Sequence, residues 1–261
     1  MLTDHILYEQ DGPLAFLTFN RPQVRNAMTW EMYQAVVERC DTVEADPSIQ
    51  VLILRGAGGK AFVSGTDIAQ FRSFRSPEAG IDYERRLDTV LDRLESVSKP
   101  TIAQIDGVAT GGGCALAAAC DLRLCSPTSR FGVPIARTLG NCLSAANHAR
   151  FLDLVGPANL KEILYTGRLL DATDALRVGL VNRIVESTAL DEAVRQTAQV
   201  IASNAPLTIK ATKEIIRRTH AHRRLPADAV HDLIAMCYTS ADFKEGIESF
   251  LGKRPPKWTG S

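Results

Sequence analysis

Two glycine-rich segments could turn main-chain N–H groups toward a ligand: Ala61-Phe62-Val63-Ser64-Gly65-Thr66-Asp67 and Gly107-Val108-Ala109-Thr110-Gly111-Gly112-Gly113-Cys114-Ala115. Glycine allows close backbone approach, and a helix N-terminus favours negative charge beside it. Two such turns facing each other would hold one developing oxyanion between two fixed donors. Read alone, the Gly111-Gly112-Gly113 triplet is better explained by a tight turn.

The flanking residues give the turns their place. Val51-Leu52-Ile53-Leu54 precedes the first and Thr101-Ile102-Ala103-Gln104-Ile105 the second, and both read as buried strands. Ala115-Leu116-Ala117-Ala118-Ala119 after the second turn reads as a helix, and Asp67 as the N-cap of a helix beginning at Ile68. Earlier, Leu14–Phe19 alternates as a strand that stops at Asn20-Arg21-Pro22. Thr29 then caps a helix whose apolar face is Tyr33, Val36, Val37, Cys40 and Val43. Tyr83, Leu87, Val90, Leu91, Leu94 and Val97 form a second amphipathic face, with Glu84 at its edge and Asp88 one turn on. Further strands are expected at 122–125 and 181–185, and a helix after Leu143. From about residue 200 the apolar spacing is wholly helical. Strands alternating with helices argue for an α/β core.

Bulk properties narrow the function. With 261 residues and 45% apolar composition, the chain can bury a full core. Thirty acidic residues balance thirty basic ones, so no net field draws nucleic acid or an anionic membrane. The six cysteines are scattered without metal-type spacing and read as reduced core thiols, so no metal is expected. The opening Met1-Leu2-Thr3-Asp4-His5 has no apolar signal region, and no stretch is long enough to span a bilayer. The expectation is a soluble cytoplasmic protein with neither nucleic-acid nor membrane partners.

The paired turns, in this order and spacing, resemble the crotonase (enoyl-CoA hydratase/isomerase) superfamily, which acts on acyl-coenzyme A thioesters. Asn20-Arg21-Pro22 with Arg25-Asn26-Ala27, Lys99-Pro100, Asp121, Phe131-Gly132-Val133-Pro134, Tyr165-Thr166-Gly167, Asn204-Ala205-Pro206 and Phe250-Leu251-Gly252-Lys253-Arg254 extend the likeness along nearly the whole chain. The resemblance implies a spiral of strand-strand-helix units over 1–200 and a C-terminal helical region, 201–261, that packs between subunits of a homotrimer or dimer of trimers. It implies an acyl-CoA substrate that brings its own coenzyme A, with no separate cofactor. The thioester oxygen would meet the backbone N–H groups of Thr66 and Gly112, with the identity of the Thr66 side chain of little consequence. Arg25, Ala27, Ala61 and Ile68 would border the nucleotide, Phe250 would line the bound substrate, and Lys253 and Arg254 would reach phosphates. For the basic residues among these, a solvated surface charge is the competing explanation.

The chain departs from the family where hydration is done. Hydratases use two glutamates that flank the substrate within hydrogen-bond reach. At the first position this chain has Ala115 and at the second Ile135, or Ala136 if the loop is shifted by one. Efficient hydration of simple enoyl thioesters is therefore not expected. Three possibilities stand on the sequence. Glu84 could supply a relocated carboxyl, unless it is an exposed charge paired with Arg85 or Arg86. Decarboxylation of a malonyl-type thioester needs little base, with Arg137, Thr138 and Asn141 available for the substrate carboxylate. Or the chain binds acyl-CoA, or another protein, without turnover.

Overall fold

The computed structural model describes residues 4–74, 76–222 and 224–261. The sequence reading at Met1-Leu2-Thr3 lies outside these. The chain runs β1 (Ile6–Asp11), β2 (Leu14–Phe19), α1 (Trp30–Ala45), β3 (Val51–Gly56), β4 (Ala61–Val63) and α2 (Pro77–Ser96). Then follow β5 (Thr101–Ile105), β6 (Val108–Thr110), α3 (Gly112–Ala119), β7 (Leu122–Cys125), β8 (Arg130–Gly132) and α4 (Ile135–Thr138). Next are α5 (Ala145–Thr166), β9 (Leu170–Asp171), α6 (Ala172–Arg177), β10 (Arg183–Ile184) and α7 (Leu190–Ala202). The chain ends in α8 (Pro206–Ala221), α9 (His231–Thr239) and α10 (Ala241–Leu251).

Two sheets result. The larger has the order β1-β2-β3-β5-β7-β10 and the smaller β4-β6-β8-β9. Apart from the β1–β2 and β8–β9 pairs, neighbouring strands run parallel. The pairs β3–β4, β5–β6 and β7–β8 each put one strand in each sheet and are each followed by a helix, α2, α3 and α4. That is a strand-strand-helix spiral.

The apolar strands of the larger sheet are continuous because both faces are covered. Ala15, Leu17, Phe19, Leu52 and Leu54 join the main core beneath α1, α2 and α3. Leu14, Phe16, Val51, Ile53 and Leu124 face the other way, against Leu190, Val194 and Ala198 of α7. The Thr29 hydroxyl accepts from Met32 N–H and so caps α1, a contact worth about 1 kcal/mol. The all-helical region begins at Leu190, earlier than spacing suggested, because α7 spends its face on the back of the sheet. The strand expected over 181–185 is only Arg183–Ile184.

Helices α9 and α10 fold back over their own chain. Helix α9 packs on α2, and Phe243 of α10 lies 6.0 Å, ring to ring, from Phe71. Helix α8 instead leaves Leu207, Ile215 and Ile216 exposed. No helix among the described residues is long and apolar enough to cross a membrane.

Candidate active site

Strands β4 and β6 are parallel neighbours, so the turns that follow them leave the same end of the smaller sheet. Thr110 Oγ1 donates to Ser64 C=O at 3.0 Å and stitches one turn to the other. A Cβ added to Gly65 would lie 3.9 Å from Gly112 N, and one added to Gly112 would lie 3.8 Å from Thr66 N. The two amides therefore border one gap. Met28 pairs with Thr66 through bonds that use the Gly65 carbonyl (2.8 Å) and the Asp67 N–H (2.9 Å). That pattern leaves Thr66 N–H pointing away from Met28, and Gly112 N–H is an orphan donor of the first turn of α3. Neither donates to a turn, loop or cap carbonyl among the described residues. Two unspent donors at one gap are what an oxyanion requires.

The Thr66 side chain, assigned no part by sequence, is a junction. Its Oγ1 lies 2.9 Å from Tyr33 Oη and 2.8 Å from Tyr83 Oη. Burial pushes both phenols well above their ordinary value, so they stay protonated. Tyr33 and Tyr83 belong to a contiguous aromatic cluster with Trp30, Phe71, Phe74, Tyr238 and Phe243. Asp67 caps the 3₁₀ turn Ile68–Ser73 by accepting from Ala69 N–H, and it also meets Arg21.

Glu84 is buried, not paired with Arg85 or Arg86. Arg85 pairs with Asp82, and Arg86 lies over the Trp30 ring. The Glu84 carboxylate accepts from Ser144 N–H at 2.9 Å and from Tyr238 Oη at 2.6 Å. Burial pushes its pKa up to about 8, and the nearby Asp88 adds to this, while the Tyr238 and Ser144 bonds oppose it. Asp88 is likewise no solvated charge. It accepts from Ser144 Oγ (2.7 Å) and faces Arg150, which also binds Asp92 and Glu95.

This burial has a consequence for stability. Between the ordinary 4.5 and about 8, folded Glu84 holds a proton that the unfolded chain releases. The contribution is complete below about 4.5 and is lost as pH rises through about 8. Denaturant titrations should therefore show stability falling across that window by on the order of a few kcal/mol. In Glu84→Gln the slope should flatten. An unchanged slope would mean that Glu84 is ionised in the fold.

The other residues expected at the site divide into groups. Asn26 is buried, and its Nδ2 holds the carbonyls of Ala57 and Ala61 while its Oδ1 accepts from Arg21 N–H. This ties the strap carrying Arg25 and Ala27 to the first turn, next to Ala61 and Ile68. Arg25 itself is exposed, at φ 54°. Phe250 and Lys253 sit at the end of α10, exposed, and Arg254 is engaged with Glu245. Arg137, Thr138 and Asn141 do not converge. Arg137 is exposed, Thr138 Oγ1 donates to Pro134 C=O, and Asn141 Nδ2 donates to Tyr238 Oη. Ala115 is buried and Ile135 packs against the core, so no carboxyl enters from either position. His148 Nδ1 sits 3.0 Å from Ser144 C=O, within its own helix turn.

Sequence patterning gives no sign that the hydroxyls of Tyr33, Tyr83 and Tyr238 meet at this site, or that Asn141, expected there for a substrate carboxylate, bonds to Tyr238 instead. On an apolar helix face a tyrosine looks like core, and its hydroxyl partner cannot be read from spacing. All six cysteines are free thiols. No cluster of three or more His, Cys, Asp or Glu side chains among the described residues could hold a metal ion.

A sequence model described as enoyl-CoA hydratase/isomerase matches residues 9–261. The chain is 34% identical over 257 residues to a crotonyl-CoA hydratase of Syntrophomonas wolfei, covering 97% of each. Among solved structures it is similar to an enoyl-CoA hydratase/carnithine racemase from Magnetospirillum magneticum, with 37% identity, a TM-score of 0.81, and coverage of 99% of this chain and 97% of that one. It is also similar to a methylmalonyl-CoA decarboxylase in complex with 2-nitronate-propionyl-CoA, with 26% identity, a TM-score of 0.90, and 99% of each chain covered.

Proposed function

This chain belongs to the enoyl-CoA hydratase/isomerase family, and from that premise we propose that it isomerises an unsaturated acyl-CoA thioester through an enolate. Coenzyme A arrives as part of the substrate. The thioester oxygen lies between Thr66 N–H and Gly112 N–H, which meet the charge as it develops without reorganising. Ionised Glu84 takes a proton from carbon, and the electron pair passes into the thioester as an enolate. The protonated carboxyl then returns a proton at the other end of the conjugated system, and the double bond has moved. One acid–base group suffices for this reaction, whereas hydration calls for two. The carrying observation is the buried Glu84 in a chain with alanine and isoleucine at the hydratase positions. Because the base is the ionised form, kcat/KM should rise with pH toward about 8.

The test is a mass-spectrometric screen of unsaturated, hydroxylated and malonyl-type acyl-CoA thioesters in D₂O. Isomerisation predicts a shifted double bond, with deuterium at the receiving carbon only to the extent that the Glu84 proton exchanges with solvent before it is returned, and slow hydration of crotonyl-CoA. Fast crotonyl-CoA hydration, or no shift of the double bond in any thioester, overturns the reading. The methylmalonyl-CoA decarboxylase likeness favours one other outcome, loss of carbon dioxide from a malonyl-type thioester. That reaction would use the same two donors and would not depend on Glu84.

Arg25 is assigned to the nucleotide phosphates, on the strength of its place on the strap beside the first turn. Arg25→Glu should weaken acyl-CoA binding about tenfold, the scale of one charge-assisted contact. Its exposed position leaves the fold unaffected. Unaltered affinity in calorimetry removes it from the site. The exposed apolar residues of α8 support assembly as a homotrimer or dimer of trimers, which light scattering would check.

A further inference from the structure

We infer that Tyr238 and Asn141 are positioning residues for Glu84, joined to it in a hydrogen-bond chain that reverses direction, with the Asn141 amide turning over, whenever the carboxyl gains or loses its proton. Their part in turnover rests on Glu84 being the acid–base group of the proposed reaction.

Donors and acceptors along this chain can be counted one by one. Asn141 Nδ2 donates to Tyr238 Oη at 3.0 Å, and Tyr238 O–H donates to Glu84 Oε1 at 2.6 Å. Ser144 N–H fills the other carboxyl oxygen at 2.9 Å. This arrangement suits an ionised Glu84, which only accepts. It leaves Asn141 Oδ1 buried with no partner among the described residues.

The neutral carboxyl calls for the opposite arrangement. Its proton needs an acceptor, and Tyr238 Oη is the one at hydrogen-bond distance from Glu84 among the described residues. A phenol has a single proton, so Tyr238 must then donate toward Asn141. Asn141 can receive it by exchanging Oδ1 and Nδ2, which occupy equivalent places in a planar amide. Oδ1 then accepts from Tyr238, and Nδ2 takes the place in which Oδ1 had no partner. Asn141 thus presents a carbonyl outward when Glu84 is a base, and an N–H donor when Glu84 is an acid.

Tyr238 is held for this task by packing. Its ring lies where a side chain on Gly80 would be, 2.4 Å from ring Cγ to an added Cβ. The polar and titratable groups around Glu84 come from every neighbouring element: Tyr33 on α1, Tyr83 and Asp88 on α2, Cys142 ahead of α5, His148 and Arg150 on α5, and Cys237 on α9. Burial, reinforced by Asp88, biases the chain toward the neutral state at pH 7.

Neutron diffraction from wild-type crystals, at pD values well below and well above the Glu84 midpoint, reads both ends of the chain. Deuterium on the carboxyl with Asn141 Oδ1 toward Tyr238 is expected at low pD, and the opposite amide orientation without that deuterium at high pD. One amide orientation at both pD values overturns the inference. In solution, the infrared C=O stretch of protonated Glu84, assigned by its loss in Glu84→Gln, gives the midpoint. Tyr238→Phe keeps the ring but removes both the donor to the charged form and the acceptor for the neutral form; the charge-assisted bond is the stronger of the two, so the midpoint should rise by about one pH unit. An unchanged midpoint in folded Tyr238→Phe also overturns it; if that variant fails to fold, the wild-type diffraction pair decides alone. Neither measurement uses substrate. An amide that turns over in a protein whose turnover ignores Glu84→Gln would sink the isomerase reading and leave the chain itself standing.

Discussion

Glu84→Gln should lower turnover about 10²–10⁴-fold, the usual contribution of a general acid–base group, with little change in acyl-CoA affinity. Glutamine has nearly the same shape. Its amide oxygen can still accept from Ser144 N–H or from Tyr238, so the buried pocket that closes over Glu84 is kept. What it loses is a proton that can be exchanged at an accessible pH. The variant also removes a buried ionisable group, so its stability should be less sensitive to alkali than the wild type's. Active-site failure is thereby separated from unfolding, since the first lowers kcat while the second is absent from the denaturation curve. Turnover within a few-fold of wild type would leave the proton transfer to some other group.

How much of this was legible in the sequence depends on the range of the interaction. Strands β3 and β5 were readable as apolar runs buried on both faces, and β2 from an alternation that its burial does not follow, since all six of its residues are buried. The smaller sheet was not. Its strands β4, β6, β8 and β9 have two or three residues each, too few for any periodicity to register. Two of them hide inside the glycine-rich segments themselves. The turns were visible as glycines, but that they face each other follows from the parallel β4–β6 pairing, a tertiary fact. Thr29 and Asp67 were readable as caps because a cap is local. Glu84 was visible only as a carboxylate at the edge of an apolar stripe. Its partners are Ser144, 60 residues on, and Tyr238, 154 residues on. No local pattern encodes such contacts. The same holds for the Tyr33–Thr66–Tyr83 hydroxyls, where pairing across three elements makes a side chain matter that had been counted for its main chain alone.

Two neighbouring glycines should separate chemistry from folding. In Gly112→Ala the new methyl would sit 2.6 Å from Tyr33 Oη, 3.4 Å from Thr66 Oγ1 and 3.8 Å from Thr66 N. The closest of these is the end of a buried side chain, not backbone, so the protein should fold at a smaller cost in stability than Gly113→Ala. The methyl would still occupy the gap between the two amides, displacing the thioester oxygen from its donors. Loss of one such donor typically costs about 10²–10³ in kcat, or roughly 3–4 kcal/mol, and a comparable loss is expected here. In Gly113→Ala the methyl would lie 2.0 Å from Val63 O and 2.7 Å from Val63 C. Both are backbone atoms of β4, so nothing yields unless α3 moves away from the strand. Overpacking of that kind should cost about 3 kcal/mol of stability or more, visible in denaturation before any assay is run. Should Gly112→Ala retain full turnover, the oxyanion does not lie between Thr66 and Gly112. Should Gly113→Ala match wild-type stability, the turn after β6 is not clamped against β4, and the gap that defines the site is looser than 3.8 Å implies.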